Sequence, residues 1–331
     1  MTELEEKIQR LVQKTAGQLL EWSLSEIDAR LAKDQEPGKY ENKGIRSRIL
    51  VTTVGEIEIK RRYYRETETG KYCFLLDETL GITPRKRVSS RLERMMLDMG
   101  TDTTFRRAST MLEYLVPGIS PMKVWSEVQQ AGARAKKEAE EVRAEVFEDG
   151  VIPDGKRSVQ RLNIEADGVM IKQQRSSKRH EEIKLVVAYE SKEDGKPLVN
   201  RRTVAGIGDS SSIWEQASAK FSHEWRLNGE EDIRIGGDGA AWIKEGTEVF
   251  PGSTYQLDLF HLRKRLTEAL GFNGDYYQAV AEKLRELDQK GLEEVFKHIV
   301  KDTREKNKQK RILDLQNYIF GNWEGISNLP K

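Results

Sequence analysis

Leu162-Asn163-Ile164-Glu165-Ala166-Asp167-Gly168-Val169 is an apolar-rich run that reaches an acid beside a glycine, and its reading decides the fold. Taken as a strand ending on a carboxylate, it opens an α/β domain. Ile183–Tyr189 and Leu198–Ala205 follow as β-rich runs, Ser211–Trp225 has helical spacing, and Ile233-Arg234-Ile235 is a short strand ending at Gly236-Gly237-Asp238. Taken as a hairpin, Asp167-Gly168 is the turn, with Leu162–Ala166 and Val169–Gln173 as its arms. Asp238-Gly239 admits the same two readings. Thr254–Leu257 adds a strand, a helix runs from about Asp258 to Leu270, and Tyr276–Tyr318 is helical and heavily charged.

Upstream, Gly150, Pro153, Asp154 and Gly155 break a charged helical stretch, and the main domain boundary is placed there. Leu4, Ile8, Leu11, Leu19, Leu20, Leu24, Ile27 and Leu31 recur at helical steps as far as Glu36-Pro37-Gly38, which predicts one amphipathic helix packing by one stripe. Arg48–Val54 and Ile57–Tyr64 read as a hairpin around Gly55-Glu56. Three helical patterns between Ser89 and Ala135 are separated by Gly100 and by Val116-Pro117-Gly118-Ile119, and Ser120-Pro121 caps the third. They resemble a helix-turn-helix in which Ser120–Ala135 enters a major groove and presents Lys123 with Gln129 or Gln130; an ordinary helical bundle is the other reading. The expected organisation is 1–88 (helix and basic hairpin), 89–150 (helical), 151–275 (α/β core) and 276–331 (helical insertion).

The 331 residues carry 56 Lys+Arg against 55 Asp+Glu, a net charge of +1, and their mean hydropathy is −0.69. No apolar run approaches the roughly 20 residues of a membrane span, and the opening MTELEEKIQR carries no targeting pattern, so a cytoplasmic protein is expected. One cysteine, Cys73, permits neither an internal disulfide nor a thiolate zinc cluster, and is read as a small buried hydrophobe. His180, His223 and His298 show no ligand spacing, and Trp22, Trp125, Trp214, Trp225 and Trp242 read as core anchors.

A neutral chain conceals local charge. Lys43 to Arg94 holds 13 basic and 7 acidic residues, with Tyr63, Tyr64 and Tyr72 interleaved among Lys60, Arg61, Arg62, Arg65 and Lys71, the footprint of a nucleic-acid partner. Lys297 to Arg311 adds 7 basic and 2 acidic residues, lining DNA or simply solvated. Asp258-Leu259-Phe260-His261 reads as an N-cap aspartate with His261 on the first turn. The cations that follow, Arg263, Lys264 and Arg265, face either solvent or phosphate. Asp167 and Asp238, each at a strand end beside a glycine, suit a hydrated Mg²⁺, which takes a few carboxylates plus phosphate oxygens.

Glu165-Ala166-Asp167-Gly168, Gly237-Asp238-Gly239-Ala240 and Asp258-x-x-His261, in that order, resemble the catalytic core of insertion-sequence transposases of the ISLre group, which are similar to Mutator-like elements. Thr53-Val54-Gly55-Glu56-Ile57 and Leu75–Gly81 extend the resemblance into the amino-terminal half. It implies a ribonuclease-H-like mixed sheet with flanking helices and a helical insertion, using three carboxylates and two Mg²⁺ or Mn²⁺ ions. Asp167 matches the first acid, on the first strand, and Asp238 the second, after the fourth; Asp258-x-x-His261 matches the motif between the second and third acids. Double-stranded DNA, as element terminal repeats and target, and a homo-oligomer are the implied partners. The family's third acid has no match among Glu286, Glu293, Glu294 and Glu305, so it is expected to be missing from a chain read as truncated at Lys331. The competing functions are a non-catalytic DNA-binding regulator of transposition and a metal-dependent nuclease completed by Glu286 or Glu324.

Overall fold

The structure is a computed structural model describing residues 2–173 and 179–329; Lys331 lies outside them. The chain divides into two compact units, Met1–Lys136 and Lys137–Lys331.

The first unit opens with helix α1 (Thr2–Asp34), followed by a hairpin of β1 (Tyr40–Thr52) and β2 (Gly55–Glu66), a short third strand β3 (Tyr72–Cys73) and α2 (Leu75–Leu80). Leu24 meets Leu50, Ile57, Ile59 and Leu76 in a buried cluster. The predicted α1 stripe packs only from its midpoint on: Leu4, Ile8, Leu11 and Leu19 are all more than half exposed, because the hairpin covers the helix from Gly17 to Leu31. The hairpin turn falls at Thr53-Val54, earlier than expected. Gly55 takes φ +110° as the first residue of β2, and the Thr52 hydroxyl donates to its carbonyl at 2.8 Å. Glycine thus ends the turn instead of centring it.

Helices α3 (Ser90–Asp102), α4 (Phe105–Glu113) and α5 (Pro121–Phe147) follow, with Leu92, Met96, Ala108, Leu112, Val116 and Val124 as their core. Gly100 does not break the first of them. It lies inside α3 at the contact with α5, where a Cβ would stand 3.0 Å from Val124 and 2.9 Å from Val128. The break comes at Thr104, whose side chain caps α4 through the Arg107 N–H.

The second unit holds a five-stranded mixed sheet of β4 (Arg161–Lys172), β5 (His180–Tyr189), β6 (Arg202–Ile207), β7 (Asp232–Gly237) and β8 (Thr254–Leu257). The spatial order is β6-β5-β4-β7-β8; β4 pairs antiparallel with β5 and parallel with β7, which is parallel to β8. The hairpin reading of Asp167-Gly168 is overturned, since β4 runs unbroken through it with Asp167 opposite Leu185 and Gly168 opposite Lys184. The Glu182 carboxylate on β5 lies over Gly168, in the space its missing side chain leaves. Asp238-Gly239 is no hairpin turn either, since the strands on either side, β7 and β8, run parallel. Leu198 and Val199 fall outside β6: Val199 bridges to Ser191, and Asn200 at φ +53° interrupts the run.

Helix α6 (Ser210–Ser222), capped by Asp209, follows β6, and the short α7 (Ala241–Lys244) and α8 (Gly246–Val249) connect β7 to β8. After β8 come α9 (Leu259–Leu270), α10 (Gly274–Arg285), α11 (Gln289–Asp302), α12 (Lys306–Gly321) and α13 (Trp323–Ser327). The core joins Leu162, Ile164 and Ala166 of β4 to Trp214, Phe221 and Trp225. Trp214, Trp225 and Trp242 are core anchors as expected. Trp22 and Trp125 are instead 61% and 42% exposed, since their helices turn those faces outward. Among the described residues no helix is long and apolar enough to cross a membrane.

Candidate functional site

Parallel pairing sets the site. Every β4–β7 partner pair, from Arg161↔Asp232 to Glu165↔Gly236, has the same sequence offset, and continuing it past the end of β7 brings Asp167 level with Asp238. The β7–β8 register, which ends at Gly237↔Leu257, carries on in the same way to Asp258, whose N–H donates to the Gly237 carbonyl at 2.8 Å. Three aspartates, on β4 and just beyond the ends of β7 and β8, thus occupy one level of the sheet.

Asp167 is exposed, while Asp238 and Asp258 are half-buried. Each spends one oxygen on a nearby backbone N–H: Asp167 Oδ1 accepts from Gly168 at 2.8 Å, Asp238 Oδ1 from Ala240 at 2.9 Å and Asp258 Oδ1 from Phe260 at 2.8 Å. Among the described residues neither Asp167 nor Asp238 has a cationic side-chain partner within ion-pair distance, so both are acceptors without a counter-charge. Their chemistry suits a hard divalent cation, which binds carboxylate oxygen. Among the described residues, however, no group of three His, Cys, Asp or Glu side chains comes together to hold a metal ion.

The second acid is held from the helical segment. The Tyr318 hydroxyl on α12 donates to the Asp238 carbonyl at 2.8 Å, and the Asn322 amide donates to the Tyr318 carbonyl at 2.8 Å. Gly239 follows at φ +98°, and a Cβ there would stand 2.7 Å from Asn322 Oδ1. Burial pushes the Tyr318 hydroxyl up to about 12; the Arg265 charge opposes this, while Asp238 and Asp258 add to the upward push. Burial likewise raises Tyr255 on β8, reinforced by Tyr318 and Asp238. Sequence reading singled out neither Tyr318 nor Asn322; their one signal is the i, i+4 spacing of two polar residues near the end of a charged helical stretch.

His261 lies on the first turn of α9 with Nε2 3.7 Å from Asp258 Oδ2, so the Asp-x-x-His spacing places the carboxylate beside the imidazole. Arg263, Lys264 and Arg265 are exposed on that helix, and the Arg265 guanidinium lies 4.2 Å from the Tyr318 ring centroid. Glu286 and Glu305 pair with Lys283 and Lys308, each at 2.8 Å, and Glu324 is exposed on α13.

The basic residues of the first unit divide. Lys60 and Arg65 are exposed on the hairpin. Arg61 is 6% exposed, paired with Asp77 and stacked 3.8 Å from the Phe74 ring centroid, so its charge is spent inside the unit. Arg62 pairs with the buried Asp28 at 2.6 Å, and Lys123 with the buried Glu127 at 2.6 Å. Cys73 is half-buried beside Tyr72.

A family model described as an uncharacterised protein family, UPF0236, matches residues 1–330. One UPF0236 protein of Caldanaerobacter subterraneus subsp. tengcongensis is 28% identical over 98% of this chain and 68% of its own length. Another from the same organism, whose name carries eleven locus designations, is 28% identical over 98% of this chain and 67% of its own. A UPF0236 protein in the vanSb 3′ region of Streptococcus gallolyticus is 26% identical over 99% and 72%.

Proposed function

We propose that this chain, which belongs to the UPF0236 family, is the DNA-processing part of an insertion-element transposase of the ISLre type, with a ribonuclease-H-like second unit. The observation that carries the reading is the constant β4–β7 offset from Arg161↔Asp232 to Glu165↔Gly236, whose continuation by two residues would set Asp167 of the sheet's first strand level with Asp238 after its fourth. The resemblance implies acids at those two positions. The relative that bears eleven locus designations adds support, because a mobile element leaves copies at many places in one genome.

Asp167 and Asp238 would hold Mg²⁺ or Mn²⁺, which when bound supplies positive charge against a phosphodiester under attack. The remaining work falls to the chain. Tyr318 holds the carbonyl of Asp238, and Asn322 holds the carbonyl of Tyr318 in turn. The Asp258 carboxylate lies 3.7 Å from His261 Nε2, which sets the imidazole beside the acid row. Arg263, Lys264 and Arg265 offer exposed charge to duplex phosphates, which gives affinity independent of sequence. A second reading, a non-catalytic DNA-binding regulator of transposition, is favoured by one observation: among the described residues no three His, Cys, Asp or Glu side chains, those of Asp167, Asp238 and Asp258 included, come together to hold a metal ion.

The test is Mn²⁺ titration by calorimetry, with cleavage of a duplex carrying element ends followed in parallel. Saturable Mn²⁺ binding that Asp167→Asn and Asp238→Asn each abolish is the expected result. Equal binding by wild type and both variants would remove the catalytic reading. Mn²⁺ binding without strand cleavage favours the regulator.

A further inference from the structure

We propose that a groove on the first unit, lined by Tyr63, Tyr72, Phe74, Arg85 and Arg87, binds an unpaired nucleobase of single-stranded DNA, with the adjoining phosphates on the two arginines. The groove encloses about 940 Å³ between the hairpin and the segment 81–87, a size that suits a nucleotide.

Its floor is a ladder of flat groups. Tyr72 and Tyr63 stack with centroids 5.2 Å apart and planes 16° apart; Tyr63 meets Phe74 at 4.8 Å; the Arg61 guanidinium lies 3.8 Å from the Phe74 centroid. The inner end is sealed, because Arg61 and Arg48 both pair with Asp77. The outer end is open: Tyr72 is 56% exposed, an unusual position for an aromatic residue with one ring face already stacked. A free ring face continues such a ladder best with another flat π-system, and a base offers one only when its own neighbours are unstacked.

The rim supplies charge. Arg48 donates to the Thr83 carbonyl at 2.7 Å and to the Lys86 carbonyl, fixing a turn in which Arg85 takes the left-handed conformation at φ +62°. That conformation is costly for a residue with a Cβ and persists because Arg48 imposes it. Arg85 and Arg87 are thereby held outward, both exposed, and among the described residues neither has a carboxylate partner. A flat apolar floor beside two unneutralised guanidinium groups matches a base with its phosphates. It fits a bare phosphate poorly, since the floor would go unused, and a duplex poorly, since the base faces are covered.

Fluorescence anisotropy of the full chain with labelled oligo(dT), single-stranded and annealed to oligo(dA), tests the proposal. Tyr72→Ala should weaken single-strand binding about tenfold or more while duplex binding stays unchanged, and Tyr72→Phe should bind like wild type. An oligonucleotide carrying 5-iodouracil should crosslink to Tyr72 or Tyr63 under irradiation, a readout that needs no variant to fold. Crosslinks mapping only elsewhere, or Tyr72→Ala binding single strands as wild type does, would overturn the proposal. So would equal competition by poly-glutamate, which would make the groove a general anion or peptide site. The groove lies wholly within the first unit and the acid row within the second, so Mn²⁺ binding at Asp167 and Asp238 is judged separately.

Discussion

The hydroxyl of Tyr318 reaches across 80 residues of sequence to donate a 2.8 Å hydrogen bond to the carbonyl of Asp238. A helix following the sheet therefore determines where a strand-end acid sits. Tyr318→Phe removes the donor with little change of shape. Unfolding in urea should show a loss of about 1 kcal/mol, and the Mn²⁺ dissociation constant should rise severalfold, whereas a purely structural tyrosine would alter only the first.

Gly239 tests the same turn from the other side. At φ +98°, with Asn322 Oδ1 2.7 Å from the position of a Cβ, it tolerates neither the conformation nor the volume of alanine. Gly239→Ala should cost about 1–3 kcal/mol in thermal unfolding and should weaken Mn²⁺ binding more than Tyr318→Phe does. Full metal affinity in this variant would mean that the turn does not set the carboxylate.

These two residues also mark where the sequence was legible. The order of strands and helices in the second unit followed from β-rich runs and breakers, and the acids on β4 and just after β7 stood out because each sits beside glycine. The choice between strand and turn at Asp167-Gly168 was not decidable locally. It depends on pairing with β5, a partner distant in sequence, which sets Asp167 opposite Leu185 and Gly168 opposite Lys184. Tyr318 and Asn322 were illegible for the same reason, since Asp238 and Gly239, which they meet, lie far back in sequence in the turn after β7. In the first unit, Arg61 looked like its neighbours Lys60 and Arg62; only the fold reveals that Asp77 claims it.

Asp77 carries the charge balance of that unit, with Arg48 and Arg61 both on its Oδ2 and all three side chains nearly buried. Asp77→Ala leaves two cations without their carboxylate, and differential scanning calorimetry should show a loss of about 3–5 kcal/mol. The exposed neighbour Glu78 is the control, and its alanine variant should shift stability by less than about 0.5 kcal/mol.

Glu224 sets an acid limit. Burial pushes its carboxyl up, but the hydrogen bond from Arg202 and the charges of Arg202, Arg157 and Lys156 outweigh that and hold it below the ordinary value of 4.5. A lowered native value means that its stabilising contribution is complete above pH 4.5 and disappears as pH falls through the native value. Glu224→Gln should therefore be less stable than wild type at pH 7, and the difference should shrink steadily below pH 4.5. A constant gap from pH 7 to pH 3 would assign the stabilisation to packing instead.

The parallel pairing of β4 with β7 also dictates a sequence of events at the ribosome. β4 is synthesised early and can align with β5 at once, as antiparallel neighbours do, but its other edge stays bare until β6, α6 and β7 have followed. Contacts so distant along the chain form late. A growing polypeptide consequently holds Asp167 with no companion acid, and the two come level only when translation has moved beyond Asp238.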